Sequence, residues 1–192
     1  HPFSAPRADG RLRVDFLDVG QGDAALITFP NGETLLVDGG GKPDFNSLYV
    51  RRDGEEPEVF EPDAASVGES VVSQFLWERG LSRIDYILAT HADADHLQGL
   101  IDVAKNFRVR AAFFGRTPEK DVGFAELYGV LQKRKIEIYK LKRGDVLNFE
   151  KASVEVLYPE ADERAEAVSD NNHSLVLRMG FGAKKFLLTG DI

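Results

Sequence analysis

The segment Thr90-His91-Ala92-Asp93-Ala94-Asp95-His96 constrains this chain more than any other stretch. Four of its seven residues carry an imidazole or a carboxylate, and each of those groups can ligate a metal ion. It follows directly on residues 84–89, a short apolar run that reads as a buried strand, and leads into residues 100–107, which read as helix. That order puts the chemistry at the mouth of one strand. His91 and Asp93 stand two residues apart, so extended backbone points both the same way. Asp95 and His96 are adjacent at the turn into the helix, where they can face a second ion. Two divalent ions roughly 3.5–4 Å apart can share a bridging hydroxide, an arrangement suited to in-line phosphoryl or acyl displacement. An acidic, solvated helix start would look similar, but two of the chain's four histidines fall in this window.

The rest of the chain supplies a mixed α/β frame. Residues 11–17, 24–29 and 34–37 read as strands, with Asn31-Gly32 as the hairpin signal between the last two. The chain therefore opens as an antiparallel meander ending in Asp38-Gly39-Gly40-Gly41. Residues from about 41 to 65 have no period and are rich in acids and proline, which predicts an insertion loop. A helix is expected from Ser66, with Glu69 completing a capping box, an apolar stripe of Val67, Val71, Phe75 and Leu76, and Gly80 as its stop. Strands at 109–114, 136–139 and 154–157, a helix over 122–135, a turn at Gly144-Asp145, a polar loop at 161–172 and a final hairpin of 174–179 with 184–189 complete a layered α/β fold. Residues 1–10 read as a linker tail and 11–192 as one domain.

Composition removes several chemistries. Cysteine is absent, which excludes disulfides, thiolate ligands and cysteine nucleophiles. No apolar run approaches the roughly 18 residues of a membrane span. The net charge of −8 argues against a general polyanion binder. The charge is uneven, however: residues 133–143 hold six basic groups and one Glu. Lys140, Lys142 and Arg143 are therefore candidates to meet phosphates, against the alternative of a solvated surface. The chain begins without Met and ends straight after an apolar strand, so it reads as part of something longer.

Four further clusters carry candidate site groups. Asp191 follows the apolar run Phe186-Leu187-Leu188, where a strand-end carboxylate is placed to bridge two metals. Asp38 also ends a strand before glycines, and either ligates or orients a ligating His from behind. Asp18-Val19-Gly20-Gln21-Gly22-Asp23 lets the backbone approach a metal or substrate closely, which makes Gln21 and Asp23 candidate polar groups. Asp170-Asn171-Asn172-His173 precedes a strand, and His173 is either a ligand or an exposed loop residue.

Together these segments resemble the metallo-β-lactamase superfamily, and more narrowly the hydrolase domain of the ComEC/Rec2 competence proteins, the DNA-uptake channels of bacteria. The matching stretches are Phe16-Leu17-Asp18-Val19-Gly20-Gln21-Gly22-Asp23-Ala24, Val37-Asp38-Gly39-Gly40, Thr90 to His96 with Gly99-Leu100, Asn171 to Leu177, and Leu187-Leu188-Thr189-Gly190-Asp191. The wider superfamily usually carries His where this subgroup and this chain carry Asp93.

The resemblance implies a metallo-β-lactamase-like αββα sandwich, cut short at its C-terminal end, with the metals between the sheets at one edge. It implies that His91, Asp93, Asp95, His96 and Asp191 are ligands supported by Asp38, with Asp93 and Asp95 catalytic and Asn171 near the substrate. It implies a nuclease acting on incoming DNA, single strand or duplex, and a parent chain with a membrane channel domain that holds this domain at the extracytoplasmic face of the cytoplasmic membrane. The carboxylate-rich set hardens the site, which favours Mn²⁺, with Zn²⁺ or Mg²⁺ as alternatives, for its two divalent ions. The rival expectations are an amide or ester hydrolase of the same fold and a metal-free docking module of an uptake channel.

Overall fold

The structure is a computed structural model that describes residues 8–41, 66–116, 121–159 and 173–192. The expected insertion loop, apart from Gly41, most of the expected N-terminal tail, the polar loop at 161–172 and Asn171 lie outside the described residues.

Among the described residues ten strands form two sheets. β1 (Arg13–Phe16), β2 (Ala25–Thr28), β3 (Thr34–Val37), β4 (Arg83–Ala89), β5 (Arg108–Phe114) and β6 (Glu137–Lys140) lie side by side in chain order. The first three pair antiparallel, as the meander predicts, and β3 to β6 pair parallel. β7 (Val146–Phe149), β8 (Ala152–Tyr158), β9 (Val176–Phe181) and β10 (Lys184–Leu188) form an antiparallel second sheet in the order β10-β9-β8-β7. Sequence patterning did not anticipate β7. It is an edge strand whose inner face consists of Leu147 and Phe149 alone, too short an alternation to read.

β2 and β3 are buried along their whole length and β4 at every residue but Arg83, because both faces of the six-stranded sheet are covered. On one face pack α1 (Gln74–Glu78, led by a π-helical stretch Gly68–Ser73), α2 (Ala94–Asn106) and α3 (Val122–Lys133), burying Leu76, Leu97, Leu100, Val103, Leu127 and Leu131 against Leu36, Ile87 and Phe114. On the other face lies the four-stranded sheet, with Val154, Val156, Leu177 and Met179 against Leu35, Leu88 and Phe113. Phe29 and Phe149 stack across the two sheets at 3.6 Å between ring centres. Among the described residues the layers therefore run helix, sheet, sheet.

The capping box at Ser66 forms in part. Ser66 Oγ accepts from the Glu69 backbone N at 3.1 Å, and its hydroxyl donates to Asp102 of α2. The first turns that follow wind as π helix rather than α helix. α2 begins at Ala94, at the turn where the sequence places Asp95 and His96: Asp93 stays extended (ψ 145°) as its N-cap, and Asp95 and His96 fill the first turn.

Candidate metal centre

Parallel strands deliver their carboxyl ends to one edge, and the chemistry collects there. Asp38 follows β3, Thr90 and His91 follow β4, and His96 sits in the first turn of α2. Glycines bring these segments into contact. Gly39 N donates to His96 O (2.9 Å) and Gly99 N donates to Gly40 O (3.0 Å). A Cβ on Gly99 would lie 1.8 Å from Gly39 O, so no larger residue fits between the Asp38 turn and the helix. The β1–β2 turn closes from the other side: Gly22, at φ 71°, leaves no room for a Cβ against Asp95 O.

Asp38 is the organiser. It is 1% exposed and holds a left-handed backbone (φ 55°) that costs a non-glycine residue energy. Its Oδ1 accepts from Thr90 N (2.8 Å), and its Oδ2 accepts from the Thr90 hydroxyl (2.7 Å) and faces His96 Nδ1 (3.0 Å). Thr90 has one hydroxyl proton and gives it to Asp38, so its oxygen accepts from His91 Nδ1 at 3.0 Å. Both imidazoles are thereby assigned an Nδ1–H. Each Nε2 is left buried, without a hydrogen-bond partner, and aimed at the same place.

Asp191 completes the group. His91, His96 and Asp191 offer ligand atoms that all lie within 4.8 Å of one another. His96 Nε2 is 3.2 Å from Asp191 Oδ1 but lacks hydrogen-bond geometry. A bare imidazole nitrogen and a carboxylate oxygen at that distance repel unless a cation sits between them. In the metal-free protein that cation is a proton. Burial disfavours charged His96, but the hydrogen bond and charge of Asp38, with Asp191 and Asp95 nearby, outweigh it and lift the His96 pKa from 6.5 to about 9. The residues fit a divalent cation by the same logic: two orphaned, pre-oriented imidazoles and a carboxylate 36% exposed on the solvent side.

A pH prediction follows for the metal-free protein. A raised histidine pKa contributes stability that is complete below the unfolded value of 6.5 and is lost as pH rises to about 9. Urea unfolding in EDTA at stepped pH should show stability falling across that window, and His96→Asn should remove the slope.

The other sequence candidates distribute around this centre. Asp93 Oδ2 lies 3.6 Å from His91 Nε2, with the side chain 39% exposed. Asp95 adds its negative field at His96. Beside the trio a small cleft is lined by Asp23, Asp38, Thr90, Leu188, Thr189 and Gly190. The Asp23 pKa is raised, first by burial, with Asp38 and Asp191 adding to the rise and the histidines offsetting it. Gln21 is exposed in the turn that packs on Asp95. His173 stands outside the trio: its Nδ1 faces Arg116 Nη1 at 3.2 Å, and the guanidinium can only donate, so Nδ1 accepts. Lys140, Lys142 and Arg143 are exposed at and just beyond the carboxyl end of β6. Thr90 and Arg116 carry roles that sequence reasoning missed. Thr90 was visible as the residue between strand and ligand cluster, whereas nothing near Arg116 marks it.

Comparison with known proteins agrees with this architecture. The profile of the metallo-beta-lactamase superfamily matches residues 17–192. The chain is 31% identical over 191 residues to ComE operon protein 3 of Bacillus subtilis (strain 168), covering 99% of this chain and 23% of that protein. It therefore spans less than a quarter of its curated relative's length. A mutant of the metallo-beta-lactamase of Cronobacter sakazakii superposes with a TM-score of 0.52 at 11% identity, covering 91% of this chain and 59% of that one. MEM-A1, a subclass B3 metallo-beta-lactamase from a soil metagenome library, gives 0.50 at 13% identity, covering 96% and 60%. These two likenesses bear on the fold alone.

Proposed function

Because the chain belongs to the metallo-β-lactamase superfamily of metal-dependent hydrolases, we propose that His91, His96 and Asp191 hold a divalent cation and that the site hydrolyses phosphodiester bonds of DNA. The observation that carries the metal reading is the pair of buried, unpartnered Nε2 atoms converging on one carboxylate. The resemblance to ComEC/Rec2 proteins, and the 31% identity to ComE operon protein 3, direct the reading towards DNA entering a cell. On this reading the chain is one domain of a membrane protein and stands on the outer side of the cytoplasmic membrane. No described helix is itself long and apolar enough to cross one.

Divalent ions held here would supply Lewis acidity and a water of lowered pKa. The protein's own groups do the rest. Asp38 and Thr90 lock both imidazoles in the tautomer that presents Nε2. Asp93 and Asp95 stand at the start of α2, next to His91 and His96, to orient the attacking water and take up its proton. Asp191, on the solvent side and 3.2 Å from His96 Nε2, would help the two histidines hold the cation. Asp23, which keeps its proton to higher pH than a free carboxyl, lines the cleft beside them. Oxygen ligands from Asp191, Asp93 and Asp95 favour Mn²⁺ over Zn²⁺ and make room for a second ion.

The test is a substrate and metal panel. Plasmid DNA and bis-p-nitrophenyl phosphate should be cleaved, nitrocefin spared, and Mn²⁺ should activate more than Zn²⁺. Nitrocefin turnover without phosphodiester cleavage would contradict the reading.

A further inference from the structure

β4, β5 and β6 run parallel, and their register sets Ala89, Phe114 and Lys140 level across the sheet. Just past that line the chain presents Thr90-His91 from β4, Arg116 from β5, and Lys142-Arg143 from β6. Neighbouring strands lie about 4.8 Å apart, so basic side chains start one strand from the metal loop and continue to the next. Leu141 fastens the far end: its N donates to Phe114 O (2.7 Å) and its side chain is buried. Lys140 and Lys142, on either side of it, and Arg143 are left exposed.

Arg116 is half-buried and held by His173. The segment carrying His173 is tied to the metal loop, because Leu175 N donates to Thr90 O (2.9 Å). The second sheet adds an aromatic ring to the same rim. Gly144 N donates to Val156 O (2.8 Å), and two residues further along β8 comes Tyr158, paired with Val176 and 37% exposed. The backbone at Tyr158, past a register shift after Val156, thus runs from the strand beside the Lys142-Arg143 turn to the strand that follows His173. The chain as a whole carries a charge of −8, whereas among the described residues this rim carries Arg116, Lys140, Lys142 and Arg143.

We propose that Arg116, Lys140, Lys142, Arg143 and the ring of Tyr158 form a track for single-stranded nucleic acid that leads its backbone to the metal centre. The proposal rests on the phosphodiester reading above. Lysine and arginine neutralise successive phosphates and release counterions, which makes binding fall with salt. An exposed aromatic ring stacks on bases that a duplex keeps paired and hidden. A lone basic patch would suit any polyanion, and the ring is what selects a single strand.

The experiment is fluorescence anisotropy with a labelled oligonucleotide of about 16 nucleotides, the upper site size of one single-strand-binding module, in EDTA to prevent cleavage. Lys142→Glu with Arg143→Glu should weaken binding by roughly tenfold or more and reduce the slope of log K against log salt by about 0.7 per lost contact. Lys142→Arg should bind as the unaltered protein does, which separates charge from shape. Tyr158→Ala should weaken single-strand binding about fivefold or more and leave duplex binding unchanged. Affinity within twofold in the charge-reversed or Tyr158→Ala protein, or tighter binding of duplex than of single strand, overturns the proposal. Hydrolysis of bis-p-nitrophenyl phosphate by the unaltered protein is measured in parallel. Binding through the track with no hydrolysis refutes the hydrolase reading alone, whereas hydrolysis with binding indifferent to charge reversal refutes the track alone.

Discussion

Asp38→Ala should weaken metal binding by about 10–100-fold, the range for losing a group that orients metal-ligating histidines. The residue touches no ligand position itself. It accepts from Thr90 twice and holds His96 Nδ1, and through Thr90 it sets His91 as well. Removing it frees both rings to turn and to take the other tautomer. It also leaves the Thr90 N–H and His96 Nδ1–H buried without partners. Breaking a buried ionic pair from one side costs about 3–5 kcal/mol, so the metal-free protein should lose stability of that order. Alanine is also less at ease than Asp in the left-handed backbone that residue 38 adopts, which adds to the loss. Asp38→Asn keeps the shape and should be milder, since one oxygen still accepts from Thr90. Manganese titration calorimetry and urea unfolding in EDTA measure the two effects. Unchanged affinity with lowered stability would make Asp38 a folding residue and nothing more.

The second large effect is expected at Asp191. Asp191→Ala should lower kcat/KM for bis-p-nitrophenyl phosphate by more than about a hundredfold, beyond what loss of an orienting group costs. Its position depends on Gly190, which has φ 53° and room for no Cβ, since one would come 2.9 Å from Ser174 Cβ and 3.0 Å from Thr90 Oγ1. Gly190→Ala should therefore reproduce part of the defect by displacing Asp191, with no ligand residue itself replaced. Asp191→Asn, which keeps one neutral oxygen, should fall between. A rate within tenfold of the unaltered protein in Asp191→Ala would remove Asp191 from the reaction.

Local chemistry made much of this legible. Alternation and Asn31-Gly32 announce the β1–β3 meander, and the apolar run before Thr90 announces β4, because those signals live in consecutive residues. The gathering of His91, His96 and Asp191 rests on contacts between residues far apart in sequence. Gly39 against Gly99 and Gly190 against Thr90 are close approaches that only the folded chain reveals. Thr90 reads as a strand residue until Asp38 and His91 are found on either side of its hydroxyl. The turn into α2 was legible at Asp95-His96, although its first turn is filled with site residues rather than with an apolar stripe. His173 illustrates the limit of motif reading: its residue type suits a ligand, and its neighbour Arg116 gives its Nδ1 a different occupation.

The account turns on whether His91, His96 and Asp191 grip a cation. Titration of EDTA-stripped protein with Mn²⁺, read by calorimetry and by loss of the free-ion paramagnetic resonance signal, addresses this directly. Saturable uptake by the unaltered protein that disappears in the His91→Ala, His96→Ala double variant, with the fold retained by circular dichroism, is the predicted result. Equal uptake by both proteins, or none by either, would contradict it.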